Sequence, residues 1–211
     1  MAIVRVKICG ITNAADALAA IDAGADQIGF NFYSKSPRQI SEAEAVKIRP
    51  QLPGKVKAVG IFVNASPAEV AAVQKSLKLD AAQLHGDETP EDAAEIARSV
   101  SVIKAFRVEQ DFPLDTLDEY PEAFAYLLDA ADTGQYGGTG RTTDWDVARR
   151  AALEHRIILA GGLKVENVAA AVRIVRPYGV DVASGVESKP GKKDHGRLRE
   201  FIQEVRRAER K

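Results

Sequence analysis

Cysteine occurs once and histidine three times in the 211 residues. No internal disulfide can form, and one cysteine with three scattered histidines does not make a structural zinc set. The lone thiol fits a reducing compartment, so a cytoplasmic location is expected and no metal is. An excess of one charge sign is also missing, because 29 basic against 30 acidic side chains leave a net charge of -1. Nucleic acid and anionic membranes therefore gain no general electrostatic attraction and are not expected partners. No apolar run approaches the roughly 18 residues of a membrane span, and the opening stretch MAIVRVKICG places Arg5 and Lys7 among its apolar residues. Neither export nor anchoring is expected. Only 9 prolines and 16 glycines beside 45% hydrophobic residues argue against disorder and collagen-like repeats, and for one compact domain over residues 1–211. A Walker loop is absent, and the glycines near 137–140 do not form a dinucleotide fingerprint.

What the chain does contain is a rhythm. Short β-branched or apolar runs bounded by turn residues begin near positions 3, 26, 56, 80, 101, 123, 156 and 179, at spacings of 23, 30, 24, 21, 22, 33 and 23. Ala-rich helical segments lie between them. Three carry start signals, namely Ser41 with Glu44, Ser66 with Pro67 and Glu69, and Thr89 with Pro90. Gly24, Pro50, Pro53 and Pro177 mark stops. The fifth helical segment, FPLDTLDEY, is the weakest. Eight strand–helix units in this length predict an α/β fold, a single-domain (β/α)8 TIM barrel, although a doubly wound open sheet fits the same alternation.

Alternation along the first strand puts Val4, Val6 and Ile8 on one face and Arg5, Lys7 and Cys9 on the other. If the apolar set meets the helices, Lys7 and Cys9 point into the barrel, as do Asp181 and Ala183 of strand eight. A buried Lys7 needs a partner, and Asp181 is the candidate. The two long spacings place surplus residues after strand two, 33–40, and after strand six, 130–143. Both are βα loops and belong on the face where barrels build their sites. Arg38 and the loop carrying Gly137, Gly138 and Gly140 should flank that site.

Polar residues at the strand ends are Cys9, Asn31, Asn64, His85, Arg107, Asp129 and Ser184. Each also has a bland reading: the cysteine as an inert core residue, Asp129 as a turn or cap, His85 as a hydrogen-bonded wall residue. The turns LAGGL (159–163) and ASGVE (183–187) close strands seven and eight. Glycines there let backbone amides approach an anion, so a monophosphate can be held without a basic cluster.

Taken together, VKICGIT, GADQIGFNFYSKSPR, VGIFVN, QLHG, LLD with YGGTGRTTDW, LAGGL with ENV, and DVASGVESKPGKKDH resemble the phosphoribosylanthranilate isomerases over nearly the whole chain. The strand-one cysteine separates this family from the similar histidine-pathway isomerase, which uses an aspartate there. The resemblance implies Cys9 as general base and Asp129 as general acid. It also implies Arg38 on the anthranilate carboxylate, and amides around Gly161, Gly162, Ser184 and Gly185 on the phosphate. The YGGTG loop would cover the substrate. His85 and Asp181 are added here as substrate-binding candidates. The reaction implied is an Amadori rearrangement in tryptophan biosynthesis, by a monomer or homodimer acting on a small phosphorylated substrate, and it is expected to need no cofactor. A site two residues from Cys9 also suggests that Lys7 lowers the thiol's pKa. Rival readings are the histidine-pathway reaction and a catalytically silent phosphate-binding barrel.

Overall fold

Residues 3–130 and 141–210 are described in the computed structural model. Gly137, Gly138 and Gly140 lie outside them. Eight parallel strands alternate with helices: β1 (Arg5–Ile8), α1 (Ala14–Ala23), β2 (Gln27–Asn31), α2 (Glu42–Ile48), β3 (Lys57–Phe62), α3 (Pro67–Leu77), β4 (Ala81–Leu84) and α4 (Pro90–Ala97). Then follow β5 (Ser101–Val108), β6 (Ala123–Ala130), α5 (Arg141–Ala151), β7 (Ile157–Ala160), α6 (Val165–Val175), β8 (Gly179–Val182), a two-stranded hairpin of β9 (Glu187–Lys189) and β10 (Lys192–Lys193), and α7 (His195–Glu209). The strands pair in chain order, and β1 also pairs with β8, with Lys7 opposite Asp181. That closing ladder excludes the open sheet.

Helix starts follow the sequence signals. Ser41, Ser66 and Thr89 each accept from the backbone N–H three residues on, and the last two form capping boxes with Glu69 and Asp92. Gly24 ends α1 at φ 99°, a left-handed conformation natural to glycine. The FPLDTLDEY segment is a short 3-10 turn, Leu114–Glu119, rather than an α-helix. Its apolar residues are too few to make a continuous stripe, and only Leu117 is buried there.

Side-chain alternation divides the core into two layers. Val59, Ala81, Ile103, Ala105, Ala125, Leu127, Ile158 and Ala160 fill the barrel interior. The opposite strand faces, Val6 and Ile8 among them, pack with Leu198, Phe201 and Val205 of α7 and with the other helices. Each fully buried Leu, Ile or Phe contributes ~1.5–3 kcal/mol relative to exposure. Small residues at four of the eight interior positions leave room for the long Lys7 side chain, which is 1% exposed with its ammonium 2.9 Å from Asp181 Oδ1. The pair expected from alternation is therefore formed. No helix among the described residues is long and apolar enough to cross a membrane.

Candidate active site

Cys9 directly follows β1 at the carboxyl end of the barrel. Its N–H donates to Val182 O at 2.9 Å, which carries the β1–β8 ladder one residue past the strand. The sheet is tight around it: a Cβ on Gly29 would lie 3.3 Å from the Cys9 sulfur. Burial pushes the Cys9 thiol above its ordinary pKa of 9.0, while the nearby Lys7 ammonium pulls it down. Lys7 thus acts in the expected direction, but desolvation outweighs it and the net shift is upward. The ammonium itself is held above its ordinary value: burial opposes this, but Asp181 and Cys9 more than compensate.

Asp129 is the last residue but one of β6, on the other side of the mouth, since the closed order runs β1, β8, β7, β6. Its Oδ2 is 3.8 Å from His85 Nε2, beyond a direct hydrogen bond, and the two side chains are 40% and 37% exposed. Below them, inside β4, the Gln83 amide nitrogen lies 2.8 Å from His85 Nδ1. With the amide donating, the neutral ring carries its proton on Nε2, the nitrogen facing Asp129. Gln83 Oε1 is buried without a hydrogen-bond partner.

Arg38 stands in the β2–α2 loop. A Cβ added to Gly10 would come within 2.7 Å of Arg38 Cδ, so its stem lies across the residue next to Cys9, where the backbone turns at φ 73°. Its Nε and Nη2 donate to the two oxygens of Glu187, each at 2.8 Å. Glu187 also accepts from the buried Lys193 ammonium at 3.0 Å. Burial works against ionising this carboxyl, yet Arg38 and Lys193 hold its pKa below the ordinary value. The β9–β10 hairpin delivers both Glu187 and Lys193.

The β7–α6 turn and the turn after β8 meet at the mouth. Gly161 and Gly162 adopt φ 80° and 59°, and a Cβ on Gly185 would overlap the Leu163 carbonyl oxygen. Ser184 opens the short turn Ser184–Val186. Asn167 ties the first loop down, donating to Gly162 O and accepting from Lys164 N–H, both at 2.9 Å.

The mouth thus gathers Cys9, Asp129, His85, Arg38, the Lys7–Asp181 pair and both glycine turns. Two strand-end candidates shape loops instead: Asn31 Oδ1 accepts from Tyr33 N–H, and Asn64, at φ 54°, accepts from Asp87 N–H. Arg107 is exposed at the end of β5. Sequence reasoning missed Gln83, Glu187 and Lys193. For Gln83 a signal was present, since it lies two residues before His85 on an alternating strand.

This arrangement defines a (β/α)8-barrel enzyme with a cluster of ionisable side chains at its C-terminal mouth. A family model described as PRAI, N-(5'phosphoribosyl)anthranilate (PRA) isomerase, matches residues 6–204. The N-(5'-phosphoribosyl)anthranilate isomerase of Pelobacter propionicus is 50% identical over 199 residues, covering 94% of each chain. The crystal structure of phosphoribosyl anthranilate isomerase from Thermotoga maritima superposes with a TM-score of 0.89 at 45% identity, over 97% of this chain and 99% of that one. Another, in complex with reduced 1-(o-carboxyphenylamino)-1-deoxyribulose 5-phosphate, gives 0.86 at 42% identity over 97% and 99%. The chain belongs to the N-(5'-phosphoribosyl)anthranilate isomerase family.

Proposed function

We propose that this chain converts N-(5'-phosphoribosyl)anthranilate into 1-(o-carboxyphenylamino)-1-deoxyribulose 5-phosphate, an Amadori rearrangement of tryptophan biosynthesis, with Cys9 as base and Asp129 as acid. The observation that carries the assignment is the placement of a thiol beside a buried ammonium on one wall and a carboxyl on the opposite wall of a single mouth. Asp129 in its protonated form donates to the furanose ring oxygen. The C1'–O bond breaks as the anilino nitrogen lone pair forms the Schiff base. Cys9 as thiolate then removes the C2' proton, and the electron pair moves to give an enolamine that tautomerises to the ketone. Burial raises the thiol's pKa, which makes the thiolate a stronger base once formed, and the Lys7 ammonium opposes that rise.

Binding groups surround these two. Amides of Gly161, Gly162, Ser184 and Gly185 take the phosphate, supported by the close approach of their two turns. Arg38 takes the ring carboxylate. Asp181, whose Oδ1 is held by Lys7, accepts from a ribose hydroxyl through its other oxygen, and His85 donates from Nε2.

The test generates phosphoribosylanthranilate in situ and follows loss of its fluorescence with wild type and Cys9→Ser side by side. Turnover by wild type and a fall of about 10³-fold in the variant, with product-analogue binding retained, is expected. Silence from wild type overturns the function, and near-normal turnover by the variant overturns the role of Cys9.

A further inference from the structure

We infer that Glu187 is a positioning residue that aims Arg38 at the substrate's aromatic carboxylate; the inference rests on the binding mode proposed above. The Glu187 side chain is 4% exposed and its oxygens are saturated with donors. Oε1 accepts from Arg38 Nε, Lys193 Nζ and the Gly191 N–H, at 2.8, 3.0 and 3.3 Å, and Oε2 accepts from Arg38 Nη2. Lys193 is fixed in turn, since its ammonium also donates to Ala183 O and its N–H donates to the buried Asp16. An anion held this way cannot follow a moving guanidinium, so the guanidinium must conform to it.

That constraint decides which edge of Arg38 remains for a ligand. A guanidinium has five N–H groups in a rigid fork, and Glu187 takes the Nε–Nη2 side. Among the described residues nothing accepts from Nη1. The Nη1–Nη2 end is thus the face left for a second planar anion, in a side chain that remains 23% exposed beside Gly10 and Cys9. Charge is matched too: Arg38 and Lys193 against Glu187 leave one net positive charge for one carboxylate. Without Glu187 the arginine keeps its charge but loses its direction.

The experiment compares two substrates, phosphoribosylanthranilate and the phosphoribosylaniline that lacks the ring carboxylate, in wild type, Glu187→Gln, Glu187→Asp, Arg38→Met and the Glu187→Gln/Arg38→Met double variant. Glu187→Gln should raise KM for the carboxylated substrate about tenfold with kcat within about threefold, and leave KM for the aniline compound unchanged. Glu187→Asp keeps the charge with a shorter reach and should raise the same KM about threefold, which provides the test if the glutamine variant does not fold. In the Arg38→Met background Glu187→Gln should add nothing to KM. Equal KM increases for both substrates, or a further increase on top of Arg38→Met, would overturn the inference alone. Failure of wild type to isomerise either compound would instead overturn the functional reading beneath it.

Discussion

Two lysines are buried on neighbouring layers of the same barrel, and they do different things. Lys7 lies inside the strands with its ammonium on Asp181, two residues from Cys9. Lys104 lies on the outer face of β5, 3.0 Å from Glu88, with Phe106 and Tyr120 rings beside it. Both pairs are almost fully buried, so each carries a similar desolvation cost and a similar need for its partner. The outer pair spends its remaining bonds on backbone: Lys104 donates to Gly86 O, and Glu88 accepts from the Asn64 and Gly86 N–H groups. It ties two loops to the wall. The inner pair instead places a charge beside the Cys9 thiol. Both charges support the fold, and the side of the sheet that a lysine occupies decides what else its charge reaches: loop backbone for Lys104, the Cys9 thiol for Lys7.

The largest effect that can break this contrast lies on the inner side. Asp129→Asn should cut kcat/KM by about 10²–10⁴-fold, the range of one general acid, with the melting temperature almost unmoved, because this carboxylate closes no buried pair. A steady-state assay with a thermal melt of the same sample checks it. A variant that melted much earlier while keeping its activity would give Asp129 a structural role instead.

Next in size are the two lysines themselves. Lys7→Met and Lys104→Met each strand a buried carboxylate and should each cost about 3–5 kcal/mol in urea unfolding. They should then separate in the pH profile. With Cys9 as the proposed base, kcat/KM of the free enzyme should rise with pH as the thiol ionises, and burial moves that limb towards alkaline pH. Loss of the Lys7 cation removes an influence that lowers the thiol's pKa, so the limb moves further to alkaline pH. Lys104→Met should leave it in place. Identical limbs in both variants would show that Cys9 does not sense Lys7.

How much of this was legible in the sequence depends on the range of the interaction. Caps at Ser41, Ser66 and Thr89 act over three residues, so their patterns could be read directly. The Lys7–Asp181 pair spans 174 residues but was still accessible, because closing a parallel barrel puts the last strand beside the first and alternation selects the inward positions. Glu187 was not accessible. Its partner Arg38 lies 149 residues away in an irregular loop, and no strand periodicity relates a loop to a hairpin. The hairpin left a local trace in Pro190–Gly191, with Gly191 at φ 76°, but a turn signal says nothing about which charge it buries. The upward shift of the Cys9 thiol was hidden for another reason: Lys7 and burial act in opposite directions, and only packing decides which prevails.

The smallest effect sharpens the outer half of the contrast. Thr89 follows Glu88 and caps α4, its side chain accepting from Asp92 N–H while Asp92 accepts back from the Thr89 N–H. Thr89→Ala should cost about 1 kcal/mol of stability, the usual value of an N-cap hydroxyl. It should leave kcat/KM within error and the pH limb fixed, since Glu88 remains clamped by Lys104 and by the two loop N–H groups. Stability measured by urea unfolding and activity measured below the melting range would then dissociate completely. If Thr89→Ala lowered kcat/KM in proportion to the lost stability, the outer wall would be transmitting its looseness through Gly86 to His85, and the division of labour between the two lysines would fail.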